Sequence, residues 1–279
     1  MITYTAKIFL GISIFFGTLF GLWACGAASE RPVQSHEETE GEKHTLKVLA
    51  YNIHHANPPS RPGFIDIPAI ARVITESGAE LVALQEVDVH TERSGKDLHQ
   101  AKALAEETGM HYYFFKSIDH QGGEYGNAIL SKYPIEESQG YPLPYEEGTE
   151  PRAVIVVTVS LPGGERIKFA STHLDFSSDS NALMQARKIT EIFEDERLPV
   201  IMAGDFNTTP GSETINHLDQ HFTRTCRADC PPTIPVVNPR RTIDFIMFSP
   251  QDYFQVKTHH TIEETYASDH LPVYAELER

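Results

Sequence analysis

Positive charge is what this chain lacks most. Its 279 residues hold 23 Lys and Arg against 39 Asp and Glu, a formal net charge of −16. Proteins that grip a nucleic-acid backbone gain affinity through clustered Lys and Arg that displace counterions. No basic patch is visible here, so avid, processive nucleic-acid binding is disfavoured. Cysteine is also in short supply, at three residues. Cys226 and Cys230, spaced C-x3-C in a Pro-rich loop, would need further ligands for a zinc site, and His217 with His221 at i,i+4 are the nearest on offer. In an exported protein the same cysteine pair reads as a local disulfide. Repeats, low-complexity tracts and internal composition breaks are absent from the body of the chain, which points to one large domain.

The long apolar run, residues 8–23, is short for a spanning helix and follows Lys7, the only charge before it, in the manner of a secretory signal. It ends Leu22-Trp23-Ala24-Cys25-Gly26, which resembles a bacterial lipoprotein cleavage site with Cys25 as the lipid-bearing first residue. A plain signal peptide and an uncleaved anchor are the alternatives, and all three place the protein outside the cytoplasm. With residues 1–24 as signal, residues 25–44 are acidic, aperiodic and read as a flexible tether. That leaves 45–279 as the folded domain. Loss of Lys7 with the signal makes the mature chain more acidic still.

Several polar residues stand at the ends of apolar runs. Residues 46–51 lead to Asn52, 80–85 to Glu86 and 198–204 to Asp205. Runs apolar on both faces are central strands. A carboxylate or amide at a buried strand end is costly unless a cation or hydrogen bonds compensate it, so several converging there imply a metal or a charged ligand. Any one alone is ordinarily a turn former or helix cap. Asn52, Glu86, His173 and Asp205 follow their strands, whereas Asp244 and Asp269-His270 sit near the starts of strands read over 242–248 and 271–277. All can meet at one edge only if the last strands run antiparallel to the first, so the sheets are expected to be mixed.

The remaining pattern alternates. A helix is expected over 66–78, with Pro68 in its first turn, Ile67, Ile70 and Ile74 on one face, and Gly78 ending it. Two more are expected over 97–108 and 180–194. A hairpin is expected from 153–161 and 165–172 around Pro162-Gly163-Gly164, and a strand over 253–262.

The ordered set Tyr51-Asn52-Ile53, Leu84-Gln85-Glu86-Val87, Ser171-Thr172-His173-Leu174-Asp175, Ala203-Gly204-Asp205-Phe206-Asn207, Ile243-Asp244-Phe245-Ile246 and Ser268-Asp269-His270 resembles the motifs of the endonuclease/exonuclease/phosphatase superfamily. Glu92-Arg93-Ser94-Gly95, the run from Tyr125 to Ser131 and Arg241-Thr242-Ile243-Asp244 are similar to a bacterial branch of metal-dependent hydrolases. That branch in turn resembles the hydrolase-like domain of GPI-lipid-remodelling proteins. The resemblance implies a four-layer α/β-sandwich, two packed mixed β-sheets flanked by helices, and a Mg2+-dependent phosphoester hydrolase in which Mn2+ can substitute.

Residue by residue, the resemblance implies Glu86 as a metal ligand, with Asn52 and Asp269 completing an oxygen site. Asp205 would deprotonate the attacking water, and Asn207, on the same side if the chain stays extended, would hold the attacked phosphate. His270, held cationic by Asp244, would bind a phosphoryl oxygen, and His173 would do likewise from the opposite side. Asp175 either orients His173 or a metal water, or caps the loop that follows it. Asn127, Arg152 and Arg93 are candidates for the substrate phosphate; the competing readings are a turn former, a pairing with acidic neighbours and a solvated loop charge. His54-His55 beside Asn52 would line the pocket rim. The expected substrate is a lipid head group at a membrane or another small phosphoester. The alternatives are an extracellular nuclease and a non-catalytic binding lipoprotein of the same fold.

Overall fold

The computed structural model describes residues 45–279 and the isolated Ser13; the expected signal, the lipid-bearing Cys25 and the acidic tether lie outside the described residues. The elements described below belong to one compact unit, Glu42–Arg279. In chain order they are β1 (Thr45–Asn52), α1 (Ile67–Ser77), β2 (Leu81–Val89), α2 (Gln100–Thr108), β3 (His111–His120), β4 (Gly123–Ser131), β5 (Ile135–Pro142), β6 (Ala153–Ser160), β7 (Arg166–His173), α3 (Asp179–Phe193), β8 (Val200–Asp205), α4 (Glu213–Leu218), β9 (Thr223–Arg224), β10 (Asp244–Ser249), β11 (Gln255–Thr261) and β12 (Val273–Glu278).

Local chemistry sets the helix ends. Asp66 accepts a hydrogen bond from the Ala69 N–H through Oδ1 (3.1 Å), Pro68 follows in the first turn, and Gly78 closes α1 in the left-handed region at φ 67°. Ser178 caps α3 through the Asn181 N–H (3.2 Å). The helix expected from residue 97 begins instead at Gln100. His90 N–H donates to Leu98 O and Val89 bridges to His99, so residues 97–99 are tied to the end of β2 before α2 can start.

The strands form two six-stranded sheets, β11-β12-β1-β2-β4-β3 and β5-β6-β7-β8-β10-β9. Leu46, Val48, Ala50 and Ile129 of the first face Val157, Phe169, Ile201 and Ile246 of the second in one buried layer. Against the outer face of the first sheet α1 and α2 pack Ile70, Ile74, Ala101 and Leu104. Against the outer face of the second, α3 and α4 pack Ala186, Ile189, Ile215 and Leu218. Each such side chain removed from water contributes about 1.5–3 kcal/mol, except the alanines, which bury less. The result is the expected four-layer sandwich of two mixed sheets.

The mixing falls where the polar residues require it. Parallel pairing of β1 with β2 and of β7 with β8 brings the ends of all four to one edge. The antiparallel pairings of β10 with β8 and of β12 with β1 return the later motifs to that edge. Asp244, the first residue of β10, stands in register with Asp205, the last of β8. Strands β3, β4 and β5 complete the sheets without having been anticipated.

Candidate active site

Backbone irregularities aim the side chains at this edge. The β2–β4 register shifts between Leu84 and Val87, and Glu86, inside that bulge, adopts φ 59°. A bulge of this kind turns a side chain away from the strand alternation. Gln85 is therefore left facing the other sheet, where its amide donates to Ser171 Oγ (3.0 Å). Asn207 adopts φ 53°, so the chain after β8 turns and does not stay extended as expected. Its backbone N–H donates to Asp205 Oδ1 (2.8 Å) and its side-chain amide to Leu174 O (2.9 Å). Asn207 thus clamps the exit of β8 to that of β7.

Asp205 lies at the centre. Its Oδ2 accepts from Asn52 Nδ2 (3.0 Å) and stands 3.5 Å from His173 Nε2 and 3.8 Å from His270 Nε2. Burial, then the neighbouring Asp244 carboxylate, pushes its carboxyl up to about 7. His270 is buried, which works against its charge, but Asp244 outweighs this through contacts at 3.0 and 3.2 Å to Nδ1, helped by Asp205 and Asp269. The imidazole is raised to about 10 and stays cationic. His173 differs from expectation: burial, then the charges of Arg152 and His270, hold it well below the usual imidazole range, so it is neutral.

Asn52 links Glu86 to Asp269 in a second acidic group, its side chain bonding Glu86 and its backbone O accepting from the Oγ of Ser268 (2.7 Å), the residue beside Asp269. Burial pushes the Glu86 carboxyl up and Asp269 adds to this, opposed by one hydrogen bond from Asn52 Nδ2 (3.1 Å). Neither carboxylate makes an ion pair among the described residues, and the donors are all oxygens, which suits a hard divalent cation. Asn52 presents its amide N–H groups to the carboxylates, while its Oδ1 accepts from His54 N–H (3.1 Å). Asp205, Asp244 and His270 also offer buried ligand atoms within 4.8 Å of one another. There, however, a proton on His270 already bridges toward Asp244, and a metal-bound imidazole must be neutral. The Glu86–Asp269 group is therefore the better cation site.

The other candidates divide. Asp175 caps its loop, accepting through Oδ1 from Ser177 N–H (2.8 Å), Ser177 Oγ (2.8 Å) and Ser178 N–H (2.9 Å), while Oδ2 is buried without a partner. Asn127 donates to Ala153 O (2.9 Å) across the two sheets. Arg93 is no solvated charge: Asp88 holds its Nε (2.7 Å) and Nη2 (2.9 Å). Arg152 is buried and stands 3.2 Å from Glu150. His54 and His55 both take left-handed backbone beside Asn52. Cys226 and Cys230 are joined as a disulfide, and His217 bonds Thr190 Oγ1 (3.0 Å), so no zinc site is assembled from these four among the described residues. Sequence reading missed Asp88, although Thr91 and Ser94, three and six residues on, are a local sign of a carboxylate organising its own turn. It also missed Tyr125 and Gln85 as packing partners of the site.

The model of the Endonuclease/Exonuclease/phosphatase family matches residues 49–270. The Escherichia coli K12 protein YbhP, described as uncharacterized, is 27% identical over 254 residues, covering 85% of this chain and 97% of that protein. Among solved structures, an endonuclease/exonuclease/phosphatase from Beutenbergia cavernae superposes with a TM-score of 0.71 at 28% identity, covering 84% of this chain and 71% of that one. A mannosyl-6-phosphatase of Bacteroides thetaiotaomicron gives 0.67 at 21% identity, covering 83% and 99%, and so shares the fold.

Proposed function

Since the chain belongs to the endonuclease/exonuclease/phosphatase family and is a hydrolase of phosphoester bonds, we propose that it is an exported, membrane-tethered, Mg2+-dependent enzyme that cleaves a lipid head group or a similarly small phosphoester. The observation that carries this reading is Asp205 set between a neutral His173 and a cationic His270.

A base works best when its pKa lies near the operating pH. The Asp205 carboxyl, at about 7, is suited to take the proton of the attacking water. Asn52 and the Asn207 N–H fix its orientation. His270, kept charged by Asp244, presents Nε2 toward Asp205 and the space beside it, where it can donate to a phosphoryl oxygen as negative charge develops. His173 can offer a ring N–H to the same group without adding charge. Glu86 and Asp269 would hold Mg2+, which would supply charge neutralisation at the phosphoryl oxygens; Asn52, expected as a third ligand, instead donates its amide N–H groups to Glu86 and Asp205 and positions their carboxylates. The acidic chain favours small or lipid-borne esters over nucleic acid.

The test is Mg2+-dependent release of phosphorylated head groups from mixed phospholipid, phosphoinositide and sphingomyelin liposomes. Wild type is expected to release one class, and Asp205→Ala to lose about a hundred- to ten-thousandfold in rate. Full activity in Asp205→Ala would sink the mechanism. No release from liposomes by a chain that still cleaves a bis-aryl phosphate would move the substrate to soluble esters or nucleic acid.

A further inference from the structure

We propose that Arg93 and Arg152, one from the rim of each sheet, form an anion subsite astride Tyr125 that takes a second anionic group of the substrate, so that the preferred phosphoester carries a further phosphate or carboxylate. The inference rests on the phosphoester reading above and narrows it to doubly anionic substrates.

Arg152 stands between β5 and β6, 4% exposed, close enough to His173 to disfavour its protonation. Its Nη1 is 3.2 Å from Glu150 Oε1, an ion-pair distance, yet the alignment makes no hydrogen bond. Arg152 Nε and Glu150 Oε1 are both buried without a hydrogen-bond partner. A buried charged donor left unsatisfied is costly to the folded chain and is a common sign of a group that waits for a ligand. The Phe176 ring, 69% exposed, lies 5.9 Å from the guanidinium on its outer side.

Arg93 approaches from the other sheet. Asp88, fully buried, accepts from Arg93 Nε and Nη2, from Thr91 Oγ1 (2.9 Å) and from Ser94 Oγ (2.6 Å). Its own N–H donates to Gln100 Oε1 (2.9 Å). Asp88 is thus a positioning residue: two hydrogen bonds from Thr91 and Ser94 hold its carboxylate, which fixes one guanidinium through two more in a bidentate fork. The fork leaves Arg93 Nη1 with no hydrogen bond among the described residues, with Cζ 5.4 Å from the Tyr125 ring. Tyr125 is buried two residues before Asn127, whose side-chain amide donates to the O of Ala153, the residue after Arg152 (2.9 Å), so the same stretch of β4 that meets Arg93 also runs beside Arg152. Arg152 acts on His173, which itself stands 3.5 Å from Asp205, so the second anionic group would sit next to the reacting one.

Arg93 and Arg152 are each matched by a carboxylate, Asp88 and Glu150, so what the subsite offers an anion is unsatisfied guanidinium donors rather than an excess of positive charge. The reacting phosphoryl already has the cationic His270 and the Glu86 cation site to neutralise it, with His173 as a neutral donor. Planar guanidiniums suit a further carboxylate or phosphate, which they grip through two donors at once.

Calorimetric titration of the full chain in detergent with Mg2+, using inorganic phosphate and methylenebisphosphonate as probes, tests the subsite without requiring turnover. Wild type is expected to bind the bisphosphonate about tenfold or more tightly than phosphate. Arg93→Met and Arg152→Met should each remove most of that margin and leave phosphate affinity within about twofold. Glu150→Gln should widen the margin by releasing Arg152, and Asp88→Asn should narrow it while Arg93 is still present. If Arg152→Met fails to fold, the Arg93→Met and Glu150→Gln comparisons decide alone. Equal affinity of wild type for the two probes, no measurable binding of either, or variants that weaken both probes in equal proportion would overturn the proposal. Because binding is read here and hydrolysis in the Asp205→Ala assay, failure of one reading is visible apart from the other.

Discussion

Asp205, Asp244 and His270 share too little solvent for three independent titrations, and the arrangement resolves this by giving the proton to His270. Its folded pKa, about 10, lies above the ordinary imidazole value near about 6.5. The stabilisation it contributes is therefore fully present below about 6.5 and is lost as pH rises through about 10. Replacing Asp244 by Asn leaves a buried imidazolium without its partner and should cost about 3 kcal/mol at neutral pH. The gap between variant and wild type should shrink above about pH 10, where both carry neutral His270. Denaturant unfolding of the two chains at pH 6.5 and 10.5 checks this, and a gap that does not change would show that His270 is not the titrating group. At this scale the sequence was a good guide wherever a polar residue bordered an apolar run: Asn52, Glu86, His173 and Asp205 after theirs and Asp244 and His270 before theirs do converge. It was a poor guide to protonation, because the neutral state of His173 depends on Arg152, twenty-one positions earlier and brought close only by folding.

Strand pairing sets how closely the catalytic loops can approach. Gly204 adopts φ 157°, and a Cβ there would stand 2.0 Å from Thr172 O in the parallel partner β7. Neither backbone can yield without breaking the pairing that aligns His173 with Asp205. Gly204→Ala should cost about 2–3 kcal/mol and lower kcat by displacing Asp205. Gly163, at the hairpin tip with φ 96° and open space around it, is the control, since its substitution carries backbone strain alone. Equal losses of Tm in the two variants would refute the close-approach argument. Helices α1 and α3 and the β6–β7 hairpin were legible because caps, stripes and turn residues are local in sequence. β3 was not, because it is an edge strand whose exposure does not alternate, and the bulge at Glu86 is written in the pairing with β4.

For the whole molecule, the placement of the site relative to the chain's beginning matters more than its detail. β1 starts at the sheet edge opposite Asn52, so residues before Thr45 join the domain far from the catalytic edge. An eight-residue strand covers about 26 Å. Under the proposed anchoring, the roughly twenty residues between Cys25 and Thr45 set an upper bound of about 70 Å on the distance between the two. The proposed lipidation of Cys25 would matter for function, since an anchored enzyme meets lipid head groups at high local concentration whereas a released one meets them by diffusion. In a bacterial host that processes lipoproteins, the wild-type chain should incorporate labelled palmitate and sediment with membranes, and Cys25→Ser should do neither. Liposome hydrolysis by the released variant should then fall while cleavage of a soluble aryl phosphate holds, because the substitution leaves residues 45–279 untouched. Identical fractionation and labelling of the two chains would remove the tether from the account, and with it the reason to prefer a membrane lipid over a soluble phosphoester.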